Sequence, residues 1–177
     1  METGELLTRW TVRVAVASYF LALLIRLSRP QSTRRLQRAR ILWTLAYGVF
    51  VIHVACAFHF FHHWSHAAAF AETARRTIAV VGIAVGAGVY VNYLFMLLWG
   101  LDVANWWRCG LHGYERLPKR YHVPMQSFLA FIFLNGTIVF EPGFSRWLGI
   151  VGFSLLAVAY VRRRLTYAGD QFASRSE

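Results

Sequence analysis

Two stretches of this chain carry no charged side chain for longer than a bilayer is thick. Residues 41–61 run for 21 positions, and residues 77–101 for 25, without Asp, Glu, Lys or Arg. At ~1.5 Å rise per residue either one crosses a hydrocarbon core of about 30 Å as a helix, which satisfies its own backbone hydrogen bonds. Charged residues make up only 15% of the sequence, against about 25% in a typical soluble domain, so the rest of the chain offers no polar shell that would hide these segments in water. Twenty-nine aromatic residues exclude a solvated coil as well.

Three shorter segments extend the pattern. Residues 123–140 give 18 uncharged positions. The segment 146–162 is apolar between Arg146 and the run Arg162, Arg163, Arg164, whose long stems can reach the interface. The first, residues 10–27, has only 12 uncharged positions between Arg13 and Arg26 and needs Arg13 to snorkel. The expected fold class is therefore an all-α integral membrane protein, a single bundle of about five transmembrane helices over residues 1–177. Its spans fall near 10–27, 41–61 with a helical extension to about 72, 77–101, 123–140 and 146–162.

The basic residues orient these spans. Of 19 Lys and Arg, all but Arg9, Arg13, Arg75, Arg76 and Arg146 lie in residues 26–40, 108–122 and the tail from 162. Five alternating spans put those three regions on one side, which the positive-inside rule makes cytoplasmic. The N-terminus is then outside, the C-terminus is cytoplasmic, and the expected location is the cell inner (plasma) membrane. This placement accounts for the net charge of +11 without nucleic acid as a partner. The expected partners are the lipid bilayer and other membrane subunits or a second copy of the chain. Glu2 and Glu5 stand where a signal peptide would be basic, so the first span is expected to stay as an anchor. Cys56 and Cys109 fall on opposite sides, which makes a disulfide between them unexpected.

The densest chemistry lies at the outer end of the second span, where His53, His59, His62, His63 and His66 fall within 14 positions. If the helix continues to about 72, four of them share an arc of about 100° at 100° per residue, with His59/His63 and His62/His66 as i, i+4 pairs. Such a pair on one face can chelate a transition metal through neutral imidazoles. The expected ligands are His59, His62, His63 and His66. His53, Cys56, Glu72 and Glu141 are possible additional ones, and zinc, copper, iron or haem the cofactor. Two alternatives stay open: a histidine face that packs on a partner helix without any cofactor, and an interfacial belt. Within the spans, Asn92 reads as an interhelical hydrogen bonder. Asp102 reads as a costly carboxylate that needs a basic partner such as Arg40 or Arg108, or else a water-filled proton or ion path. His112 and His122 read as ordinary loop residues. Gly82-x-x-x-Gly86 and Ala84-x-x-x-Gly88 read as close-packing stripes in the third span.

The string HVACAFHFFHHWSHAAA, followed by VYVNYLF, the Asp102–Trp107 segment and FLNGTIVF, resembles a family of small bacterial polytopic membrane proteins over residues 41–150. The resemblance implies a helical membrane bundle and no particular activity. Locally, His59-Phe-Phe-His62-His63 is similar to the HxxHH box of membrane di-iron hydroxylases and desaturases. Those enzymes use several boxes on the cytoplasmic side, whereas this chain has one and the topology places it outside. The leading expectation is a small membrane protein that binds a metal or haem at its outer face as a subunit or accessory factor. A cofactor-free structural subunit and a di-metal oxidase are the alternatives, and an enzymatic role is the less expected.

Overall fold

The computed structural model describes residues 3–28, 32–141 and 143–173, with side chains to residue 165; Arg29, Pro142 and Arg175 lie outside them. The described residues form six α-helices and no strand: α1 (Thr3–Leu27), α2 (Thr33–Phe60), α3 (His66–Val81), α4 (Gly88–Glu115), α5 (Lys119–Leu134) and α6 (Phe144–Ala173). A π-helical turn, Asn135–Val139, prolongs α5. Four helical segments are long and apolar enough to cross a membrane: Thr3–Leu27, Thr33–Phe60, Lys119–Val139 and Phe144–Leu165.

The first span, short on apolar positions by sequence, is a full 25-residue helix that packs along α2. Arg13 is accommodated by aromatic rings, its guanidinium lying 5.3 Å from the Trp10 ring centre and 5.1 Å from that of Phe144.

The second and third spans depart from expectation. The helix expected to run from 41 to about 72 stops at Phe60, and α3 begins afresh at His66, where the Ser65 hydroxyl caps it by accepting from the Ala68 amide at 3.2 Å. Between them His63 and Trp64 adopt positive φ (47° and 58°), a left-handed reversal that no helix contains. Residues 77–101 are not one helix either. α3 ends at Val81 with a left-handed Gly82 (φ 80°), and α4 starts only at Gly88. The small-residue stripes of that region therefore lie in a turn. α4 is 28 residues long, with Asn92, Asp102 and Asn105 interrupting its apolar run.

The core is an aromatic stack at the centre of the bundle. Trp99 of α4 is fully buried and packs against Tyr19, Trp43, Tyr47, Phe50, Phe95 and Phe133, with ring centres 5.3–6.1 Å apart. Tyr19 stacks on Phe133 at 3.8 Å. Large apolar side chains such as Leu45, Leu97, Leu101 and Val158 point outward, each about half exposed, the surface lipid requires.

Candidate functional site

On α4, positions 99, 102, 103 and 106 recur at i, i+3, i+4, i+7, and all four are buried. That spacing carries Asp102 inward with two tryptophans and a valine, leaving its carboxylate with no exposure at all. A buried carboxylate is tolerated only where donors surround it. Here three do. Trp43 Nε1 donates to Oδ2 at 3.0 Å, Tyr121 donates to Oδ1 at 2.8 Å, and the Tyr114 hydroxyl reaches Oδ1 at 2.8 Å and Oδ2 at 3.0 Å.

The Tyr114 contact is impossible in a straight helix. Twelve residues of α-helix would separate Asp102 and Tyr114 by about 18 Å. Gly110 removes the distance: at φ 71°, ψ 178° it leaves helical geometry and turns residues 111–115 back toward the bundle. This combination of angles is essentially restricted to glycine. A Cβ at Gly110 would meet nothing within 4 Å, so the requirement is conformational rather than steric.

A second tier covers the cage. Tyr114 stacks on Trp106 (4.5 Å, 14°), and the Arg26 guanidinium lies 5.0 Å from the Tyr114 ring centre. Arg26 Nε donates to Glu115 at 2.7 Å. His122 Nε2 donates to the Tyr114 carbonyl at 3.0 Å, which leaves Nδ1 as the acceptor facing Arg26 at 3.5 Å. The basic partner expected for Asp102 is thus replaced by neutral donors: among the described residues no Lys or Arg forms an ion pair with it. Arg40 instead lies over the Trp107 ring at 3.8 Å, and Arg108 is exposed. His122, read as a loop residue, is half-buried on α5. Asn92 is exposed and makes no side-chain hydrogen bond among the described residues.

All three side chains donate, so the ionised carboxylate satisfies them, while a protonated acid would need one hydroxyl to turn and accept. Tyr121 is half-buried in the first turn of α5, with the exposed Lys119 and Arg120 beside it in sequence and the exposed Arg116 just before the helix.

The histidines do not share a face. The break at Phe61–Ser65 dissolves both i, i+4 pairs. His59 is exposed on the last turn of α2, beside Phe60 and Trp64. His62 rests its ring edge on Phe58, and His63 is exposed in the turn. Burial, with the Arg76 and His63 charges, holds His62 below the usual imidazole range. His66 heads α3 with the Tyr93 hydroxyl 3.0 Å from Nδ1 and the Tyr90 hydroxyl 3.2 Å from Nε2. His53 lies six residues before His59 on α2, its Nδ1 donating to the Thr8 carbonyl of α1 at 2.9 Å. Cys56 is half-buried and free. Glu72 and Glu141 turn to arginines instead: Glu72 pairs with Arg75 and with Arg76 at 2.8 Å, and Arg76 reaches Glu141 at 3.2 Å. Among the described residues no three His, Cys, Asp or Glu side chains are grouped so as to hold a metal ion.

Fold and site together define the class: an all-helical, multi-pass membrane protein with a caged carboxylate at one end of its bundle. Comparison with protein-family models, with characterised proteins and with solved structures finds no match to this chain.

Proposed function

We propose that the chain is a proton-linked membrane protein of the inner membrane, in which Asp102 takes up and releases a proton from the basic, cytoplasmic side through Tyr121. The observation that carries this reading is a fully buried carboxylate bonded by neutral donors from α2, from the bent end of α4 and from α5, one of them reaching the surface. The proton adds to a carboxylate oxygen, and the new O–H then donates to a tyrosine oxygen that had been a donor. Protonation thereby reverses a hydrogen bond between α4 and its neighbours, which couples one charge to the packing of three helices. In this reading α4 joins the four apolar helices as a fifth crossing, with the N-terminus outside. The protein then acts as a subunit or accessory factor of a larger membrane assembly.

Infrared difference spectroscopy on the protein in bilayers, stepped in pH, tests the proposal. A carboxylic C=O band should grow on acidification and vanish in Asp102→Asn. If no such band appears before the protein unfolds, Asp102 is a fixed structural anion and the proposal fails.

A metal bound at the α2–α3 turn is the second reading, favoured by the left-handed His63 and Trp64. Bulky residues hold such angles at a cost of about 1–3 kcal/mol each, and strain of that kind concentrates at functional sites. His59, His62, His63 and His66 would supply neutral nitrogens after the turn rearranges or a second copy joins. Elemental analysis and a visible spectrum of detergent-purified protein, against a His59→Ala/His63→Ala/His66→Ala variant that still inserts, decide it. Stoichiometric metal lost in the variant supports the site, and an empty, colourless wild type rejects it.

A further inference from the structure

Residues 77–87 were expected to form the first part of a crossing, yet the segment between α2 and α4 has a geometry that suits the membrane surface. With Phe70 at 0° and 100° per residue, Val81, Ala74 and Ile78 fall at about 20°, 40° and 80°, while Arg75, Glu72 and Arg76 fall at about 140°, 200° and 240°. α3 is thus apolar on one side and ionic on the other. Its outward apolar residues are far from covered: Ile78 is 50% exposed, Val81 58% and Ile83, in the following turn, 64%.

Two attachments fix the level of this helix. Its N-terminus follows the last turn of α2, a membrane-crossing helix, by five residues. Ten residues on, Arg76 reaches Glu141 at 3.2 Å, in the connection between the membrane-crossing segments Lys119–Val139 and Phe144–Leu165. Both attachments therefore lie at membrane boundaries, and the ten residues between them, about 15 Å of helix, run along the surface rather than through it. The turn that follows adds an independent restriction. The amides of Ile83, Ala84 and Val85 donate no hydrogen bond among the described residues. Unpaired amides are not sustained in hydrocarbon, so this turn lies where water or headgroups reach it.

We infer that α3 and the turn 82–87 form an interfacial anchor seated in the phospholipid boundary of the face opposite the basic ends. The apolar arc and Ile83 rest on the upper acyl chains, while Arg75 and the turn amides meet headgroups. The inference rests on the membrane-spanning character of the chain and is independent of Asp102. The amphipathic arc, the two pinned ends and the need of the turn for hydration together select lipid over a protein cover.

The test places an environment-sensitive fluorophore at Ile83→Cys in the full chain, in a Cys56→Ser/Cys109→Ser background reconstituted into phosphatidylethanolamine–phosphatidylglycerol vesicles. Val81→Cys serves as a second site and Leu155→Cys, at the middle of the membrane-crossing segment Phe144–Leu165 and 49% exposed, as the deep reference. The expected result is blue-shifted emission at 83 and 81, quenched more by a spin label near the lipid carbonyls than by one at mid-chain, with the order reversed at 155. Quenching only by aqueous iodide would overturn the inference by placing the turn in water. Mid-chain quenching equal to that at 155 would overturn it by making 77–101 a true crossing. A blue shift insensitive to every quencher would overturn it by showing a protein cover.

Discussion

Replacing Asp102 by alanine separates a cage from an ion pair. The substitution leaves three donors without an acceptor, and two of them, on Trp43 and Tyr114, are completely enclosed. Side-chain hydrogen bonds inside membrane proteins contribute about 0.6 kcal/mol on average and about 1.7 at most, so three donors predict a loss of about 2–5 kcal/mol. Asp102→Asn keeps one carbonyl acceptor and should recover part of that loss. Arg40→Gln is the informative control. Arg40 is half-buried, touches the half-exposed Trp107 ring and forms no ion pair with Asp102, so its removal should cost about 1–2 kcal/mol, the range of a partly desolvated cation–π contact. Both effects can be read from unfolding in mixed detergent micelles followed by tryptophan fluorescence, with the double variant closing the cycle. The cage requires a coupling energy near zero. A coupling as large as the Asp102→Ala loss itself, or a loss below about 1 kcal/mol for that variant, would refute the reasoning and restore the ion pair.

Other perturbations address single links of the same structure. Gly110→Ala meets no atom but forces a left-handed alanine, costing about 1–3 kcal/mol. It should also release Tyr114 from the carboxylate, seen as a changed Trp106 emission. His53→Ala removes the bond to the Thr8 carbonyl that ties α1 to α2 and should destabilise by about 1 kcal/mol in the same micelle assay. His62 binds its proton more weakly folded than unfolded, because burial and the neighbouring charges lower its pKa. Its neutral state therefore supports the folded turn above about pH 6.5, and that support is lost as the pH falls below it. An NMR titration of the His62 ring should give a midpoint below that of a free imidazole, and Arg76→Gln should move it upward.

Much of the bundle was legible because lipid imposes a rule that can be read residue by residue. Uncharged stretches located α2, α5 and α6, and even the short apolar run after Arg13 proved to be a full helix. What failed was continuity. The alanines after His66 favour helix, but nothing in their propensity reveals that His63 and Trp64 reverse the chain just before them. The histidine face depended on that continuity and disappeared with it. Asp102 was noticed because charge is conspicuous in an apolar segment. Its partners were missed because nothing marks out Trp43, Tyr114 and Tyr121 among 29 aromatic residues, and a search for countercharge passes over neutral donors. The available signal was Gly110, a glycine eight residues after the acid, where a chain can double back.

In the proposed arrangement with α4 as a fifth crossing, the order of the cage residues along the chain also sets the order in which the middle of this protein is assembled. Trp43 precedes Asp102, whereas Tyr114 and Tyr121 follow it by 12 and 19 residues. When α4 first reaches the bilayer its carboxylate has one donor at hand, and the remaining two arrive only after the chain has bent at Gly110 and begun α5. A membrane segment with a poorly satisfied carboxylate inserts reluctantly. α4 therefore settles fully only once the helix after it has been made, which turns residues 111–121 into the step that completes insertion of the middle of the protein.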